Sequence, residues 1–388
     1  MIPVSDALDR LFSRTPTLPV EEIPLIAANG RVLARAVSAT RNQPPFSASA
    51  MDGYAVVAAA PGDRFKVIGE AAAGTRFDGS VGPGEAVRIF TGAPVPQGAS
   101  RIVIQEDVTR DGDVITVTEG LDKGPHIRAE GGDFRVGQSI DAPVRLTPAL
   151  VALLASMNVA RVPVTRRPEV AILSTGDELV MPGEVPGPDQ IIASNTFGLH
   201  ALLRDLGARP RLLPLARDDE ASLRTAFDLA QGADLVVTIG GASVGDHDLV
   251  GKVAGDLGMD RAFYKVAMRP GKPLMAGTLN GAMMIGLPGN PVSAMVCGHV
   301  FVAPVIRAML GLPRAQALRK QTVLAQSQPA NGPREHYMRA RLTENGILPD
   351  QRQDSSLLSV LGLSDALLVR PPHDPARDAG DPVEYIPL

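Results

Sequence analysis

Residues 238–248, "TIGGASVGDHD", decide the fold, and they follow the apolar run "ADLVV" at positions 233–237. The chain therefore passes from a buried strand directly into glycine, hydroxyl and carboxylate residues. Backbone amides beside glycine suit a phosphate group, whereas carboxylates repel one. A phosphate that arrives together with a divalent cation suits both the amides and the carboxylates, so this stretch predicts a site for a metal-bound phosphate.

The composition describes a chain that can build several cores. A length of 388 residues predicts about two to four domains. The content of 45% hydrophobic and 21% charged residues excludes a disordered polymer. The net charge of -4, without a long basic run, excludes the electrostatic footprint of a nucleic-acid-binding protein.

The cysteine count and the apolar runs indicate the compartment. A single cysteine, Cys297, excludes a disulfide framework and a cysteine-rich zinc or iron–sulfur site within one chain. The first residues carry acids and lack the apolar core of a signal peptide, and no uninterrupted apolar run approaches about eighteen residues. We therefore expect a cytoplasmic protein with no membrane partner.

The pattern of the chain changes three times. Short β-like runs alternate with Gly/Pro turns from Phe46 to about Asp133 and predict a small, mostly β domain. Residues 147–159 return to a helical pattern, with Thr147 as the cap and Pro148 at the first helical position. After residue 312 short strands and turns predict a second small β domain.

Residues 167 to about 312 alternate buried strands with helices. The predicted strands are "EVAILST", "RPRLLPLA", "ADLVVTIGG" and "GAMMIGL". The helix "NTFGLHALLRDLG" is expected to be capped by Asn195 and to end at Gly207. This alternation predicts a doubly wound, mostly parallel α/β sheet.

Three loops that follow strands of this sheet form the candidate site. They are "STGDEL" at 174–179, the stretch at 238–248, and "GLPGNPVS" at 286–293. Ligands of open parallel sheets bind beyond the carboxyl ends of the strands, and the third loop opens a helix whose free amides favour an anion. We expect these loops to share a site for an anion and a metal ion, with candidate binding residues Thr175, Gly176, Gly240, Gly241, Ser243, Gly245, Pro288, Gly289 and Asn290.

Acidic residues of the loops are candidate metal ligands. Glu178, Asp246 and Asp248 could hold Mg²⁺ through one or two carboxylates together with substrate phosphates. For any one of them alone, a solvated loop acid or a helix N-cap is the simpler interpretation, and Asp248 fits the cap position. His247 has no second histidine or cysteine at ligand spacing, and core packing explains His299.

Two nucleotide-binding motifs are excluded. No G-x-G-x-x-G sequence follows a predicted strand, so a Rossmann dinucleotide site has no support. The run "GDHDLVGK" departs from a P-loop because five residues separate Gly245 from Gly251. In addition, Val253 stands where a serine or threonine should hold magnesium.

The run "FYKVAMRPGKP" at 263–273 carries the cations Lys265, Arg269 and Lys272. If the segment to Pro270 is extended, Lys265 and Arg269 share one face and could grip a phosphate or an oxyanion. A solvated edge with long charged side chains is an equally open alternative.

Other polar residues have no clear role from spacing alone. Asp52, Thr91 and Asp133 sit at glycine-containing turns and read as structural. Arg334, Ser355 and Ser356 are isolated and read as surface residues.

Six stretches, taken in order, resemble the molybdopterin molybdenumtransferase family, the molybdenum-insertion enzymes related to the C-terminal part of gephyrin. They are "SAMDGYAV", "FTGAPVP", "STGDEL", "TIGGASVGDHD", "PGKP" and "GLPGNPVS", and they span nearly the whole chain. The resemblance implies an elongated domain from residues 1–42 and 134–166, and a β domain inserted at 43–133. It further implies an α/β molybdopterin-binding domain at 167–312 and a C-terminal β barrel at 313–388.

The resemblance also implies a reaction. Adenylylated molybdopterin and molybdate are the substrates, Mg²⁺ is required, and the pyrophosphate link is cleaved with release of AMP. It further implies a homodimer, whose active cleft joins the α/β domain of one subunit to the β insertion of the other, and the molybdopterin adenylyltransferase is a possible partner. Molybdate is a tetrahedral dianion, which basic and hydroxyl donors suit better than thiols do.

Residue roles are carried over from the family by motif. Glu178, Asp218 and Asp248 resemble its acidic metal and nucleotide site, with Glu178 and Asp248 as metal ligands. Lys265 and Lys272 resemble essential basic residues, and Asp52, Thr91 and Asp133 fall on positions that matter for activity. The implied molybdate pocket contains Lys272, Ser293, Arg334 and Ser355.

The chain departs from the family pattern in two places that bear on the site. Arg269 occupies a position often held by lysine, which keeps the charge but changes the geometry of the donors. The run "RQDSSLLS" replaces a more glycine-rich version, so Ser355 and Ser356 both remain candidates for the oxyanion.

Two other functions stay open from the sequence. One is a different enzyme on the same α/β scaffold, namely a Mg²⁺-dependent nucleotide pyrophosphatase or the adenylyltransferase itself. The other is a non-catalytic scaffold, which the intact acids and lysines argue against. The choice between molybdate and tungstate is also open, because the two anions have nearly equal size and charge.

Overall fold

The structure is a computed structural model that describes residues 1–241 and 249–388. The chain divides into two compact units, one of Met1–Glu21 with Thr165–Leu388 and the other of Glu22–Val164. The predicted site positions Ser243, Gly245, Asp246, His247 and Asp248 lie outside the described residues.

Helix α1, Val4–Phe12, opens the chain and belongs to the first unit. Its apolar side chains recur at helical spacing, so one face is buried while the other carries the charged residues. Arg10 on this helix donates from Nη1 to the carbonyl oxygen of Ala262 over 2.9 Å. The helix is thereby tied to the α/β part of the same unit.

The segment from residue 20 to residue 165 consists mostly of short strands. They are Val20–Pro24 (β1), Val32–Leu33 (β2), Val37–Ser38 (β3), Ala48–Ser49 (β4), Gly53–Val56 (β5), Arg64–Ala71 (β6), Glu85–Ile89 (β7), Arg101–Ile104 (β8), Val108–Asp111 (β9), Val114–Val117 (β10), Ile127–Arg128 (β11), Ser139–Ile140 (β12), Val144–Arg145 (β13) and Arg161–Thr165 (β14). Helix α2, Pro148–Ser156, precedes the last of them, and its cap Thr147 accepts from the amide of Leu150, as predicted.

Two larger sheets organise these strands. Six strands pair in the order β8-β5-β7-β6-β10-β9, and four pair in the order β1-β14-β2-β13. Strand β5 lies inside the six-stranded sheet, and all four of its residues are buried. Tyr54 and Val56 enter one apolar cluster and Ala55 enters another, so this sheet is covered on both faces.

The α/β part of the first unit contains nine strands and five helices in its described residues. The strands are Glu169–Ser174 (β15), Leu179–Val180 (β16), Ile191–Ile192 (β17), Arg209–Leu212 (β18), Leu235–Ile239 (β19), Asp260–Tyr264 (β20), Met268–Arg269 (β21), Met275–Leu279 (β22) and Ala282–Leu287 (β23). The helices are Ser194–Asp205 (α3), Glu220–Leu229 (α4), Leu249–Asp256 (α5), Pro291–Cys297 (α6) and Ala303–Met309 (α7).

The central sheet has the strand order β18-β15-β19-β23-β22-β20. The first four strands are mutually parallel, whereas β22 is antiparallel to both of its neighbours. Strands β15, β19 and β23 are almost entirely buried, which is typical of parallel strands that are covered on both faces. The carboxyl ends of these three strands therefore lie side by side on one edge.

The cap predicted for α3 is wrong. Ala193 occupies the N-cap position, and no side chain caps the helix. Asn195 lies within the first turn, and its amide nitrogen Nδ2 donates to the carbonyl oxygen of Gly289 over 2.7 Å. The predicted end is confirmed, since Gly207 follows the helix with a φ of 95°.

Helices α6 and α7 form one helical run, joined by a π-helical segment at Gly298–Val302. By length and composition alone, the run Pro291–Met309 could cross a membrane. Of its most apolar window, 78% is buried inside the protein, which is the arrangement of a core helix.

The C-terminal part consists mostly of β strands. Its strands are Lys320–Val323 (β24), Glu335–Thr343 (β25), Gly346–Pro349 (β26), Ala366–Arg370 (β27) and Pro382–Pro387 (β28), and a short helix, Leu358–Gly362 (α8), precedes β27. The order is β21-β25-β27-β28-β24, and β26 also pairs with β25. An isolated bridge joins Leu324, which follows β24, to Ile347 of β26.

Candidate functional site

Close backbone contacts hold the loops after β15, β19 and β23 together. The amide of Thr175 donates to the carbonyl oxygen of Ile239 over 3.1 Å, and the amide of Gly240 donates to that of Leu287 over 3.2 Å. Gly240 has a φ of 88°, and a Cβ atom there would lie 2.6 Å from the carbonyl oxygen of Thr175. Only glycine permits this conformation and this approach.

A cavity of about 550 Å³ opens at this edge. Its volume is typical of small-molecule sites. Residues from all three loops line it, together with residues of β17, α3 and the C-terminal part. The lining residues are Ser174, Thr175, Glu178, Leu179, Ile191, Ile192, Ala193, Ser194, Asn195, Asp218, Ile239, Gly240, Gly241, Pro273, Pro288, Gly289, Asn290, Pro291 and Ser356.

Two carboxylates line the cavity. Asp218 accepts at Oδ1 a hydrogen bond of 2.7 Å from the hydroxyl Oγ1 of Thr175, and its own amide donates to Asp177 over 3.3 Å. Glu178 lies over Gly176, where a Cβ atom would come within 2.6 Å of its Oε2 atom. Within the part of the chain that the structure describes, the Glu178 carboxylate has no hydrogen bond or ion pair.

The loop at 286–293 differs from the sequence prediction in how its backbone amides are bonded. Its helix α6 was expected to offer free amides to an anion. Pro291 has no amide hydrogen, and the amide of Val292 donates to the carbonyl oxygen of Ser355 over 3.1 Å. The loop is instead held by Asn195 at Gly289 and by Asn290, whose Nδ2 donates to Ser355 Oγ over 3.1 Å.

The basic run does not have the predicted conformation. Lys265 has a φ of 72°, which interrupts the extended backbone between β20 and β21. Strand alternation therefore does not place Lys265 and Arg269 on one face. The ammonium of Lys265 lies 5.1 Å from the ring centre of Tyr264. A positive φ in a non-glycine residue costs free energy and is common at functional sites.

The lining of the cavity includes none of the residues expected in the oxyanion pocket and neither of the other two cations of the basic run. Among the described residues, Lys265, Arg269, Lys272, Ser293, Arg334 and Ser355 do not line it, whereas Pro273 and Ser356 do. Ser356 donates from Oγ to Asp354 Oδ1 over 2.6 Å. Hydrogen bonds from Ser356 lower the pKa of the Asp354 carboxyl below its ordinary value.

The second unit carries the other three predicted residues. The amide and the hydroxyl of Thr91 both donate to Asp52 Oδ1, over 2.7 and 2.9 Å. These bonds, and the nearby Arg88, lower the pKa of Asp52. Asp133 is exposed, and its amide donates to the carbonyl oxygen of Gln43 over 2.9 Å. The structure thus joins Asp52 to Thr91 and gives no contact between Asp133 and that pair within the described residues.

The sequence motifs account for only part of the cavity lining. Asn195 lines the cavity instead of capping α3, and Ser194, Ile191 and Ile192 line it without belonging to any of the motifs. The side chains of Ile191 and Ile192 are 58% and 37% exposed, although both are large and apolar. Exposed apolar residues beside polar loops are typical of a binding surface, but the sequence shows only two adjacent isoleucines, and their exposure is visible only in the structure.

Among the described residues, the donors that line the cavity fit Mg²⁺. The described residues contain no group of three or more His, Cys, Asp or Glu side chains placed to bind a metal ion. Glu178 and Asp218 supply only carboxylate oxygens. Mg²⁺ is usually held by one or two carboxylates, with substrate phosphates and water completing its shell.

Three family models match successive parts of the chain. Residues 2–158 match the MoeA N-terminal region (domains I and II), residues 171–308 match a probable molybdopterin binding domain, and residues 321–388 match the MoeA C-terminal region (domain IV). The matches follow one another without overlap and leave only short stretches uncovered.

Whole-chain relatives carry one name. The chain is 37% identical over 327 residues to a molybdopterin molybdenumtransferase of Nostoc sp., which covers 80% of this chain and 75% of the relative. It is 37% identical over 336 residues to molybdopterin molybdenumtransferase 2 of Mycobacterium tuberculosis, which covers 82% of each chain. The corresponding protein of Staphylococcus aureus is 30% identical over 99% of this chain and 95% of its own.

Solved structures agree with this likeness. The molybdopterin biosynthesis moeA protein of Pyrococcus horikoshii superposes with a TM-score of 0.83 at 29% identity, covering 100% of this chain and 99% of the other. A second structure of the moeA protein from that organism gives a TM-score of 0.86 at 26% identity, with full coverage of both chains.

Proposed function

The chain belongs to the molybdopterin molybdenumtransferase family and is an enzyme, and we propose that it inserts molybdenum from molybdate into adenylylated molybdopterin. The proposed reaction cleaves the pyrophosphate link in the presence of Mg²⁺ and releases AMP. The single observation that carries the proposal is the cavity at the carboxyl ends of the strands. The carboxylates of Glu178 and Asp218 line it together with Gly240, Gly241 and residues 288–291.

The residues that line the cavity have different roles in the proposed reaction. Gly240 and Gly241, which lack side chains, let a phosphate approach the backbone closely. Thr175 holds the Asp218 carboxylate by its hydroxyl, which keeps one oxygen oriented. Glu178 and Asp218 would hold Mg²⁺ together with phosphate oxygens of the substrate. Bound there, the ion would neutralise charge that develops on the leaving phosphate.

Other assignments remain proposals from the family resemblance. Asp248, Ser243 and Gly245 lie outside the described residues and are proposed to complete the acidic loop. Lys272, Ser293, Arg334 and Ser355 are proposed to hold molybdate, Lys265 to act as an essential basic residue, and Arg269 to contact the cofactor. Asp52, Thr91 and Asp133 are proposed to support activity from the second unit.

We further propose the four-part domain division at 1–42 with 134–166, 43–133, 167–312 and 313–388. The bridge from Leu324 to Ile347 supports a closed barrel for the last part. We also propose a cytoplasmic homodimer, with the molybdopterin adenylyltransferase as a possible partner. The mass of the purified protein, measured by light scattering, tests the dimer, and a monomer at working concentration would contradict it.

The reaction is tested with purified protein, adenylylated molybdopterin, Mg²⁺ and molybdate. We expect AMP and metallated pterin to form together, and both to be lost when Mg²⁺ is removed with a chelator. If AMP forms equally without molybdate and no metallated pterin appears, the enzyme is a nucleotide pyrophosphatase. If no AMP forms at all, the proposed reaction is wrong.

Three variants test the acidic site. Asp218→Asn, Glu178→Gln and Asp248→Ala should each lower the rate of AMP release by roughly 100-fold, as loss of an electrostatic group commonly does. Asp228→Asn is the matched control, since Asp228 is exposed on α4 and lies outside the cavity lining. Unchanged turnover in an acidic-site variant would remove that residue from the site.

A further inference from the structure

Arg88 lies at the centre of a polar cluster in the six-stranded sheet of the second unit. It belongs to β7 and pairs in register with Tyr54 of β5, so the two side chains point to the same face of the sheet. Phe90 follows Arg88 by two residues along the chain. The Arg88 guanidinium lies 5.1 Å from the ring centre of Tyr54 and 4.7 Å from that of Phe90. Both distances are those of cation–π contacts, so the two rings hold the guanidinium in place.

The same guanidinium donates hydrogen bonds to two further segments of the chain. Its Nη1 donates to the carbonyl oxygen of Gly53 over 3.2 Å, and its Nη2 donates to Oε1 of Gln105 over 2.8 Å. Gly53 directly follows Asp52, and the amide of Gln105 donates to the carbonyl oxygen of Asp52 over 3.0 Å. Arg88 therefore holds both the residue that follows Asp52 and the residue that binds its carbonyl group.

The Asp52 carboxylate is held on one side only. Thr91, which follows Phe90, donates from its amide and its hydroxyl to Oδ1 of Asp52. Among the described residues, Oδ2 of Asp52 accepts no hydrogen bond and forms no ion pair. One carboxylate oxygen is thus fixed by the protein, and the direction of the other depends on where the backbone of Asp52 lies.

We propose that Arg88 is a positioning residue for the reaction: by holding three segments of backbone at once, it fixes the direction of the Asp52 carboxylate. The three segments are those of Gly53, Gln105 and Phe90. Arg88 is half-buried and acts through these segments rather than on the substrate. The inference rests on the proposed role of Asp52 in the reaction. A displacement of about 1 Å in a group that meets the substrate can cost roughly 100-fold in rate, so such a residue strongly affects turnover.

An arginine suits this position because its planar fork can bind two acceptors while it stacks on aromatic rings. In the part of the chain that the structure describes, Arg88 forms no ion pair, so pairing with an acid does not explain its place in the sheet. Methionine has a similar length and keeps the apolar packing, but it offers no donor. Lysine keeps the charge and a ring contact, but its ammonium cannot reproduce the fork that reaches Gly53 and Gln105 together.

Hydrogen exchange in the full-length protein, followed by mass spectrometry, measures the positioning itself. The amides of Thr91 and Gln105 both donate to Asp52, so their exchange reports whether Asp52 keeps its place. We expect both amides to exchange at least about tenfold faster in Arg88→Met than in wild type, because local opening becomes easier when the clamp is lost. This measurement needs no substrate.

Arg110→Met is the matched control. Arg110 is exposed on β9, the edge strand of the same sheet, and donates from Nε to the carbonyl oxygen of Gly112 over 2.9 Å. This variant also loses an arginine and a bond to the backbone, but it leaves the segments around Asp52 untouched. Its exchange and its rate of AMP release should match those of wild type. Thermal unfolding of each variant separates a displaced Asp52 from a loss of fold.

The rate of AMP release, measured in single turnover with enzyme in excess, tests whether the positioning serves the reaction. Arg88→Met should lower this rate about 10–100-fold. In the Asp52→Ala background the same change should have little further effect, because a residue that acts through Asp52 then has nothing to position. Arg88→Lys keeps the charge but loses the fork, so it should recover only part of the rate.

Four outcomes would overturn the inference: unchanged exchange in folded Arg88→Met, a wild-type rate in that variant, an equal further loss in the Asp52→Ala background, or a wild-type rate in Arg88→Lys. The proposed function can fail separately. If wild type releases no AMP while Arg88→Met speeds the exchange of both amides, the function is wrong and Arg88 still positions Asp52. If wild type releases AMP and the exchange is unchanged in Arg88→Met, this inference alone is wrong.

Discussion

At the residue scale, the site depends on glycines that let the strand ends touch. Gly240 and Gly232 both have a positive φ, 88° and 78°. They differ in surroundings, because a Cβ atom at Gly240 would meet the Thr175 carbonyl oxygen at 2.6 Å, whereas nothing lies within 4 Å of one at Gly232. This pair can separate the cost of the backbone conformation from the cost of the steric clash.

We expect Gly232→Ala to lower the free energy of unfolding by about 1–2 kcal/mol, the cost of a left-handed alanine. Gly240→Ala should cost roughly 1–3 kcal/mol more, because its methyl group overpacks against backbone. It should also weaken nucleotide binding by moving the loop. Chemical denaturation and calorimetry with AMP would measure both effects, and equal destabilisation of the two variants would contradict the argument.

The hydroxyl of Thr175 supports a second prediction. Thr175→Val keeps the branched shape but removes the 2.7 Å hydrogen bond to Asp218. We expect roughly tenfold slower AMP release, with little change in Tm, since one hydrogen bond to a charged group is lost. Thr225→Val removes a hydroxyl that donates to the carbonyl oxygen of Ala221 on α4, away from the cavity lining, and its rate should match wild type. A normal rate in Thr175→Val would show that Asp218 needs no support.

At the scale of elements, polar contacts hold neighbouring strands of the parallel sheet together at both ends of the strands. At the amino ends of the strands, on the side away from the cavity, Asp234 lies just before β19. Its carboxylate accepts two hydrogen bonds from the Arg166 guanidinium, over 2.8 and 2.9 Å. Asp234 also accepts from the amide of Glu169 over 2.8 Å. This carboxylate therefore ties the start of β19 to the start of β15, far along the strands from the site.

We predict that Asp234→Ala separates stability from activity. The free energy of unfolding should fall by about 2 kcal/mol or more, because a half-buried arginine loses its charged partner. The turnover of the folded enzyme should stay unchanged. As a control, Arg209→Ala removes an exposed ion pair with Glu169 and should cost no more than about 1 kcal/mol. A large loss of turnover in folded Asp234→Ala would contradict the separation.

At the scale of the whole molecule, two histidines in largely apolar surroundings, His336 buried and His299 half-buried, link folding to pH. The pKa values of His299 and His336 are both lowered from 6.5 to about 4 in the folded protein. The unfolded chain therefore binds more protons than the folded one at pH values between these limits. The folded state loses stability as pH falls from 6.5 towards 4, and stability is fully present above that window.

We expect acidification through this window to lower the free energy of unfolding by on the order of 3 kcal/mol for each histidine. The double variant His299→Gln/His336→Gln should lose correspondingly less stability between those pH values. Denaturation midpoints measured at several pH values would test this. An identical pH profile in wild type and double variant would contradict the assignment to these two residues.

Local patterns in the sequence determined much of this protein: the alternation of strands and helices in residues 167–312, the cap at Thr147, the helix end at Gly207, and the six motifs that indicated the family. These features depend on short-range periodicity and backbone sterics, which the chain carries by itself. Tertiary structure decided where Asn195 and Lys265 point, because Asn195 bonds a distant loop and a positive φ at Lys265 breaks the extended run. It also decided that β21 joins the C-terminal sheet and so placed Arg269 beside His336, since strand pairing between distant segments depends on packing that no local pattern encodes.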